Sequence, residues 1–274
     1  MLRAWFTIGT TPYLDEYLVI QAGRAIFSIS LVGFACLQFK LSKEKLNAIL
    51  GVGDRKSLLS GLGLGVILFM FALGQSAVTT LVAAQYDLEQ AYRVWPFHPE
   101  PYGSHPLLSV HILIFITASV LLPAICEEIF FRGLFFPALS NKRTYLRSAL
   151  ICSAVFAMLH FQSLFNVLNS LIFSCIACCI YASGRSLYYC IVTHATYNFV
   201  AFIFQHYFDF HGTRSINQLS NVTDWIPQLI MFAVSIACLT GLALRYPPKR
   251  GFWLREPKQR VNFHAAHVYG PASP

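Results

Sequence analysis

The sequence predicts an all-α fold, a polytopic membrane bundle of about seven helices, with six and eight as the bounds. Three observations predict it. Of 274 residues, 56% are hydrophobic and only 12% are charged, against about 25% charged in soluble domains. Mean hydropathy is +0.55. Apolar runs of about 20 residues recur along the chain, each enough to cross a hydrocarbon core about 30 Å thick.

The spans follow in order. Span one, roughly 17–39, comes after Pro12, Asp15 and Glu16 and lacks a small-x-small cleavage site. It reads as a retained helix and not a cleaved leader. Span two covers 58–84. Span three, 107–139, is about 50 Å long as a helix; Pro123 is expected to kink or break it, and Pro137 to end it. Spans four (148–163, short), five (164–183), six (187–208) and seven (225–244) complete the set. Three regions result: N-terminal spans and loops over 1–106, a four-span core over 107–208, and a last span with a basic tail over 209–274. The loop 86–106 contains Trp95 and many turn formers and reads as an interfacial cap. His111 and His206 fall near the outer ends of spans three and six and read as interfacial.

Charge predicts the orientation. Lys40, Lys43, Lys45, Arg55, Lys56, Lys142, Arg143, Arg147, Arg185, Arg245, Lys249, Arg250, Arg255, Lys258 and Arg260 fall on one side of the seven spans. Only Arg3, Arg93 and Arg214, with Arg24 at the start of span one, fall on the other. The positive-inside rule therefore predicts the N-terminus outside and the C-terminus in the cytoplasm. A net charge of +8 is thus explained by anionic lipid headgroups, and no nucleic-acid partner is predicted. The membrane is the plasma membrane if the host is bacterial and the endoplasmic reticulum if it is eukaryotic.

Eight cysteines (Cys36, Cys126, Cys152, Cys175, Cys178, Cys179, Cys190 and Cys238) all fall within spans, so a disulfide framework is not expected. The cluster around Cys175, Cys178 and Cys179 has metal-like spacing, but cysteine on an apolar helix acts as a small hydrophobe. Asn221-Val-Thr223 matches a glycosylation acceptor in a loop predicted outside; a chance match is the expected reading.

Glu127 and Glu128 are the only acidic residues between Glu100 and Asp209. A carboxylate in hydrocarbon costs roughly 2.5–3.5 kcal/mol and Arg132 a similar amount, about 8–10 kcal/mol in all, so a functional site is the default inference. Glu128 and Arg132 stand at i, i+4 with the acid toward the N-terminus, the favourable order for an ion pair. Glu127, about 100° around the helix, is left to point elsewhere. Gly133 allows a neighbouring helix to approach closely. Span four adds Phe156-x-x-x-His160, and span six adds His194-x-x-x-Asn198 on one helical face. Either histidine alone reads as readily as a structural residue. Depth argues otherwise: at 1.5 Å per residue, Glu127, His160 and Asn198 each lie about 20 Å from the cytoplasmic end of their span, and His194 about 14 Å. The coincidence predicts one shared site.

Glu127-Glu128-Ile-Phe-Phe-Arg132, Phe156-Ala-Met-Leu-His160 and His194-Ala-Thr-Tyr-Asn198 resemble the three ordered motifs of the CAAX protease and bacteriocin-processing family of intramembrane proteases. That family includes the type II CAAX prenyl endopeptidases. The resemblance covers roughly 107–205. It implies that Glu127 is the base that activates water with His160, that His194 and Asn198 stabilise the oxyanion, and that Arg132 neutralises and orients Glu128. It implies a membrane-anchored protein or peptide as substrate. The chemistry is sensible in itself: apolar surroundings hold a carboxylate's proton more tightly, and a base matched to the working pH is the effective one.

No cofactor is expected to be required. Zinc is the alternative, held by Glu127, His160 and His194 with one open position, although no His-Glu-x-x-His helix is present. Ser153, Ser170 and Cys126 lack a clear base and orienter for nucleophilic catalysis. The expected function is an intramembrane endopeptidase cutting near the C-terminus of a lipidated or membrane-anchored substrate. The alternatives are an ion-coupled transporter, since intramembrane carboxylates and histidines also relay protons, and a non-catalytic immunity-type membrane protein.

Overall fold

The computed structural model describes residues 12–51, 53–89, 91, 110–161, 164–183, 186–207 and 218–245. The predicted cap at 92–106, the arginines Arg3, Arg93, Arg185 and Arg214, the basic tail beyond Arg245 and the side chains of His111 and His206 lie outside the described residues. Within them the chain is helical, with no strand.

Helix α1 spans Pro12–Phe39, α2 Lys43–Leu50 and α3 Arg55–Ala84. A continuous helical path over 110–140 is α4. The set continues with α5 (Tyr145–Met158), α6 (Leu164–Ala182) and α7 (Leu187–Tyr207). A 3₁₀ turn at Val222–Trp225 leads into α8 (Ile226–Arg245). Five helices (α1, α3, α4, α7 and α8) are long and apolar enough to cross a membrane.

Of the remaining three, α5 corrects the expectation for span four. Helix α5 has only 14 residues, about 21 Å at 1.5 Å per residue, and stops at Met158. Its end has a local cause. The His160 ring donates from Nδ1 to the Phe156 carbonyl at 2.9 Å, while backbone Leu159 and His160 turn back on Phe156 and Ala157. A histidine side chain bonded to a last-turn carbonyl is a C-terminal cap. His160 therefore sits in the turn after the helix and not on it. Helices α5 and α6 then pack on each other as a hairpin.

Helix α4 also departs from expectation, because Pro123 and Pro137 neither break nor end it. The path alternates: an α stretch Val110–Phe115, a π stretch Ile116–Leu121, an α stretch Leu122–Glu128, a π stretch Ile129–Phe135 and an α stretch Phe136–Ser140. Each proline stands in the first turn of an α stretch, directly after a π stretch. Proline has no N–H, and its ring crowds the carbonyl four residues earlier. Those carbonyls belong to Ser119 and Gly133, both inside the π stretches. Widening to the π pattern lets the helix pass each proline without stopping.

Helix α3 packs between α7 and α8, and α4 lies between α1 and α7. Small residues permit the close approaches. A Cβ at Gly65 would stand 2.6 Å from the Thr193 carbonyl of α7, and one at Gly74 would meet Phe232 and Gln228 of α8. Gly133 behaves as predicted: Ile49 of α2 would be 2.6 Å from a Cβ there. Helix α2 was not predicted, although Leu46, Ile49 and Leu50 carry its i, i+3, i+4 spacing. The large apolar side chains of α1, α8 and α5 that remain exposed, such as Ile26, Leu37, Leu150, Val155 and Ile230, form the surface that a bilayer covers.

Candidate active site

Glu127 and Glu128 close the middle α stretch of α4, and Arg132 follows in the second π stretch. All three are buried, Glu128 and Arg132 completely. The predicted ion pair forms: Arg132 donates from Nη1 to Glu128 Oε1 at 2.9 Å. The same oxygen accepts a second bond at 2.9 Å from His194 Nδ1. Because that oxygen already takes a guanidinium N–H, the histidine nitrogen is the donor. Arg132 Nε and Nη2 have no hydrogen-bond partner among the described residues. The guanidinium lies instead over aromatic rings, 4.6 Å from the Phe156 centroid and 5.8 Å from that of Phe173. Desolvated cation–π contacts contribute about 2 kcal/mol, which offsets part of the burial cost.

Glu127 points away from that pair, as its position on the helix predicted. Its Oε2 is 4.0 Å from His160 Nε2 and has no hydrogen-bond partner among the described residues. The tautomer of His160 follows from its other nitrogen. A carbonyl can only accept, so Nδ1 carries the proton to Phe156, and in the neutral ring Nε2 presents a lone pair. Two acceptors thus face each other at a distance too long for a direct hydrogen bond. The Phe156 ring stacks on His160 at 4.6 Å between centroids, so one phenylalanine steadies both His160 and Arg132. Phe173 packs against His194 at 4.9 Å.

Asn198 donates from Nδ2 to the Ser119 carbonyl of α4 at 3.4 Å. It lines a cleft with His160, His194, Phe156, Phe173, Tyr197, Asn169 and Ser170. The cleft measures about 80 Å³, room for several waters at about 10–15 Å³ of such volume each. The structure therefore brings all six predicted residues into one neighbourhood, arranged as two subclusters: Glu128–Arg132–His194, and Glu127–His160, with Asn198 on the cleft wall. The bond from His194 to Glu128 was not foreseen, nor were Asn169 and Tyr197. Asn169 and Ser170 were visible as adjacent polar residues in an otherwise apolar run, and Ser170 was weighed only as a nucleophile.

The donors as arranged do not fit zinc. No three His, Cys, Asp or Glu side chains among the described residues converge to hold a metal ion.

Residues 109–200 match the family described as type II CAAX prenyl endopeptidase Rce1-like. The matched stretch is 92 of the 274 residues. All six site residues lie inside the matched stretch. No curated protein and no solved structure matches the chain. Five helices among the described residues are of spanning length, as in an integral membrane protein.

Proposed function

We propose that the chain is an intramembrane endopeptidase that hydrolyses a peptide bond near the C-terminus of a lipidated or membrane-anchored protein, using water activated by Glu127 and His160. The observation that carries this reading is the facing of Glu127 Oε2 and His160 Nε2 at 4.0 Å, beside a cleft lined by His194 and Asn198. A water touching both acceptors at about 2.8 Å subtends an angle near 90°, so each of its protons can point at one acceptor. Its remaining lone pair is then free to attack a carbonyl. Glu127 takes the proton as the bond forms, and His160 holds the water in place.

The opposite wall supports charge stabilisation. His194, held through Nδ1 by Glu128, lines the cleft with Asn198, whose amide offers an N–H to an oxyanion. Donors preorganised in this way contribute about 3–4 kcal/mol each to the transition state. No metal enters this scheme. The orientation that suits it is the charge-derived one, with the N-terminus outside and the cleft open to substrate from the cytoplasmic leaflet.

The test is cleavage of lipidated peptides by purified protein in proteoliposomes. Glu127→Gln and His160→Ala should each abolish turnover, and Glu127→Gln should leave folding intact because Oε2 makes no hydrogen bond. Normal cleavage by Glu127→Gln refutes the assignment of the base. Proton-coupled flux lost with both changes, in a protein that never cleaves, would favour the transporter.

A further inference from the structure

Beside the His194–Glu128 bond, α7 makes a second polar contact with α4, from Asn198 to the Ser119 carbonyl. In an α-helix the Ser119 carbonyl accepts the N–H of residue 123. That residue is Pro123, which has none. Ser119 lies in the π stretch Ile116–Leu121, and π bulges are frequent at functional sites. The carbonyl deprived of its α-helical donor is the one that accepts Asn198 Nδ2–H at 3.4 Å.

Ser119 is itself held from the other side. Its hydroxyl donates to Gln21 Oε1 at 2.5 Å and accepts from Arg24 Nη1 at 2.7 Å. Gln21 is almost fully buried, as are Ser28 and Ala35 one and two heptads further along α1. A carbonyl acceptor also decides which end of an asparagine amide faces it, since Oδ1 there would set two acceptors together. The second N–H of Nδ2 then remains for the cleft that Asn198 lines.

We propose that Pro123 is a positioning residue for Asn198. By withholding a backbone N–H it reserves the carbonyl of Ser119, a residue whose hydroxyl is held by Gln21 and Arg24, as the acceptor that fixes the Asn198 amide toward the developing oxyanion. This rests on the oxyanion role given to Asn198 above. The variant Pro123→Ala restores the missing N–H and lets it compete for the Ser119 carbonyl. It also improves helix propensity, so the protein should fold at least as well.

The experiment is a double-mutant cycle on cleavage of a lipidated peptide, with thermal unfolding measured for each protein. Pro123→Ala should lower kcat about ten- to a hundred-fold, the scale of a misplaced catalytic contact, with KM nearly unchanged. In the Asn198→Ala background the same change should produce no further loss, because the group it misplaces is gone. An equal loss in both backgrounds, or full activity of Pro123→Ala, overturns the inference. Full activity of Asn198→Ala removes the oxyanion role itself and this inference with it, a result distinct from additivity in the cycle.

Discussion

Replacing Arg132 by methionine tests whether the buried ion pair supports the fold and the site together. Both partners have side chains with no solvent exposure, so water cannot take over for the missing charge. The pair is held by one charge-assisted bond at 2.9 Å, worth about 1.5–3 kcal/mol, and by the ring contact at 4.6 Å, worth about 2 kcal/mol when desolvated. The sum agrees with the 3–5 kcal/mol typical of breaking a buried pair. Methionine keeps much of the apolar packing on Phe156 and Phe173, so the loss reports chiefly on charge. Arg132→Met should therefore lower unfolding free energy by about 3–5 kcal/mol, read by reversible denaturation in mixed micelles with tryptophan fluorescence. Adding Glu128→Gln removes the orphaned carboxylate and should return about 2–3 kcal/mol relative to the sum of the single changes. The double variant should still cleave poorly, because His194 loses its anionic partner. A cost below about 1 kcal/mol for Arg132→Met, or strict additivity in the cycle, would refute the reasoning.

Two further outcomes are expected. A strong zinc chelator should leave cleavage intact, whereas loss restored by stoichiometric zinc would replace the water-activation scheme with a metal-dependent one. Cysteine-accessibility labelling in intact membranes should reach Lys43→Cys and Lys142→Cys only from the cytoplasmic side; labelling from outside would invert the orientation drawn from loop charge.

Much of the bundle was legible because apolar run length and the low charge fraction are direct consequences of lipid as solvent. The site motifs were legible for the converse reason, that ionisable groups in hydrocarbon need an explanation. The i, i+4 spacing of Glu128 and Arg132 gave their contact correctly, since both lie on one helix. What stayed hidden depends on partners that spacing does not encode. Span four was carried to 163, whereas α5 stops at Met158; the His160 side chain bonds back to the Phe156 carbonyl there. The sharing of Glu128 Oε1 between Arg132 and His194 joins residues 66 positions apart. The π stretches were missed because a proline in a helix was taken as a kink or a stop. The local pattern shows a third solution, in which the backbone widens and a freed carbonyl finds a side-chain donor on another helix.

The shortness of α5 bears on the lipid beside it. A rise of about 21 Å for α5 leaves roughly 9 Å of a 30 Å hydrocarbon layer unmatched. Membranes absorb such a mismatch by thinning at the protein boundary or by drawing headgroups inward. Phospholipid acyl chains next to Leu150, Val155 and Met158 would then be compressed, and the interface would dip toward the turn that carries His160. A dimple of that kind shortens the path from bulk solvent to the centre proposed to consume water with every turnover.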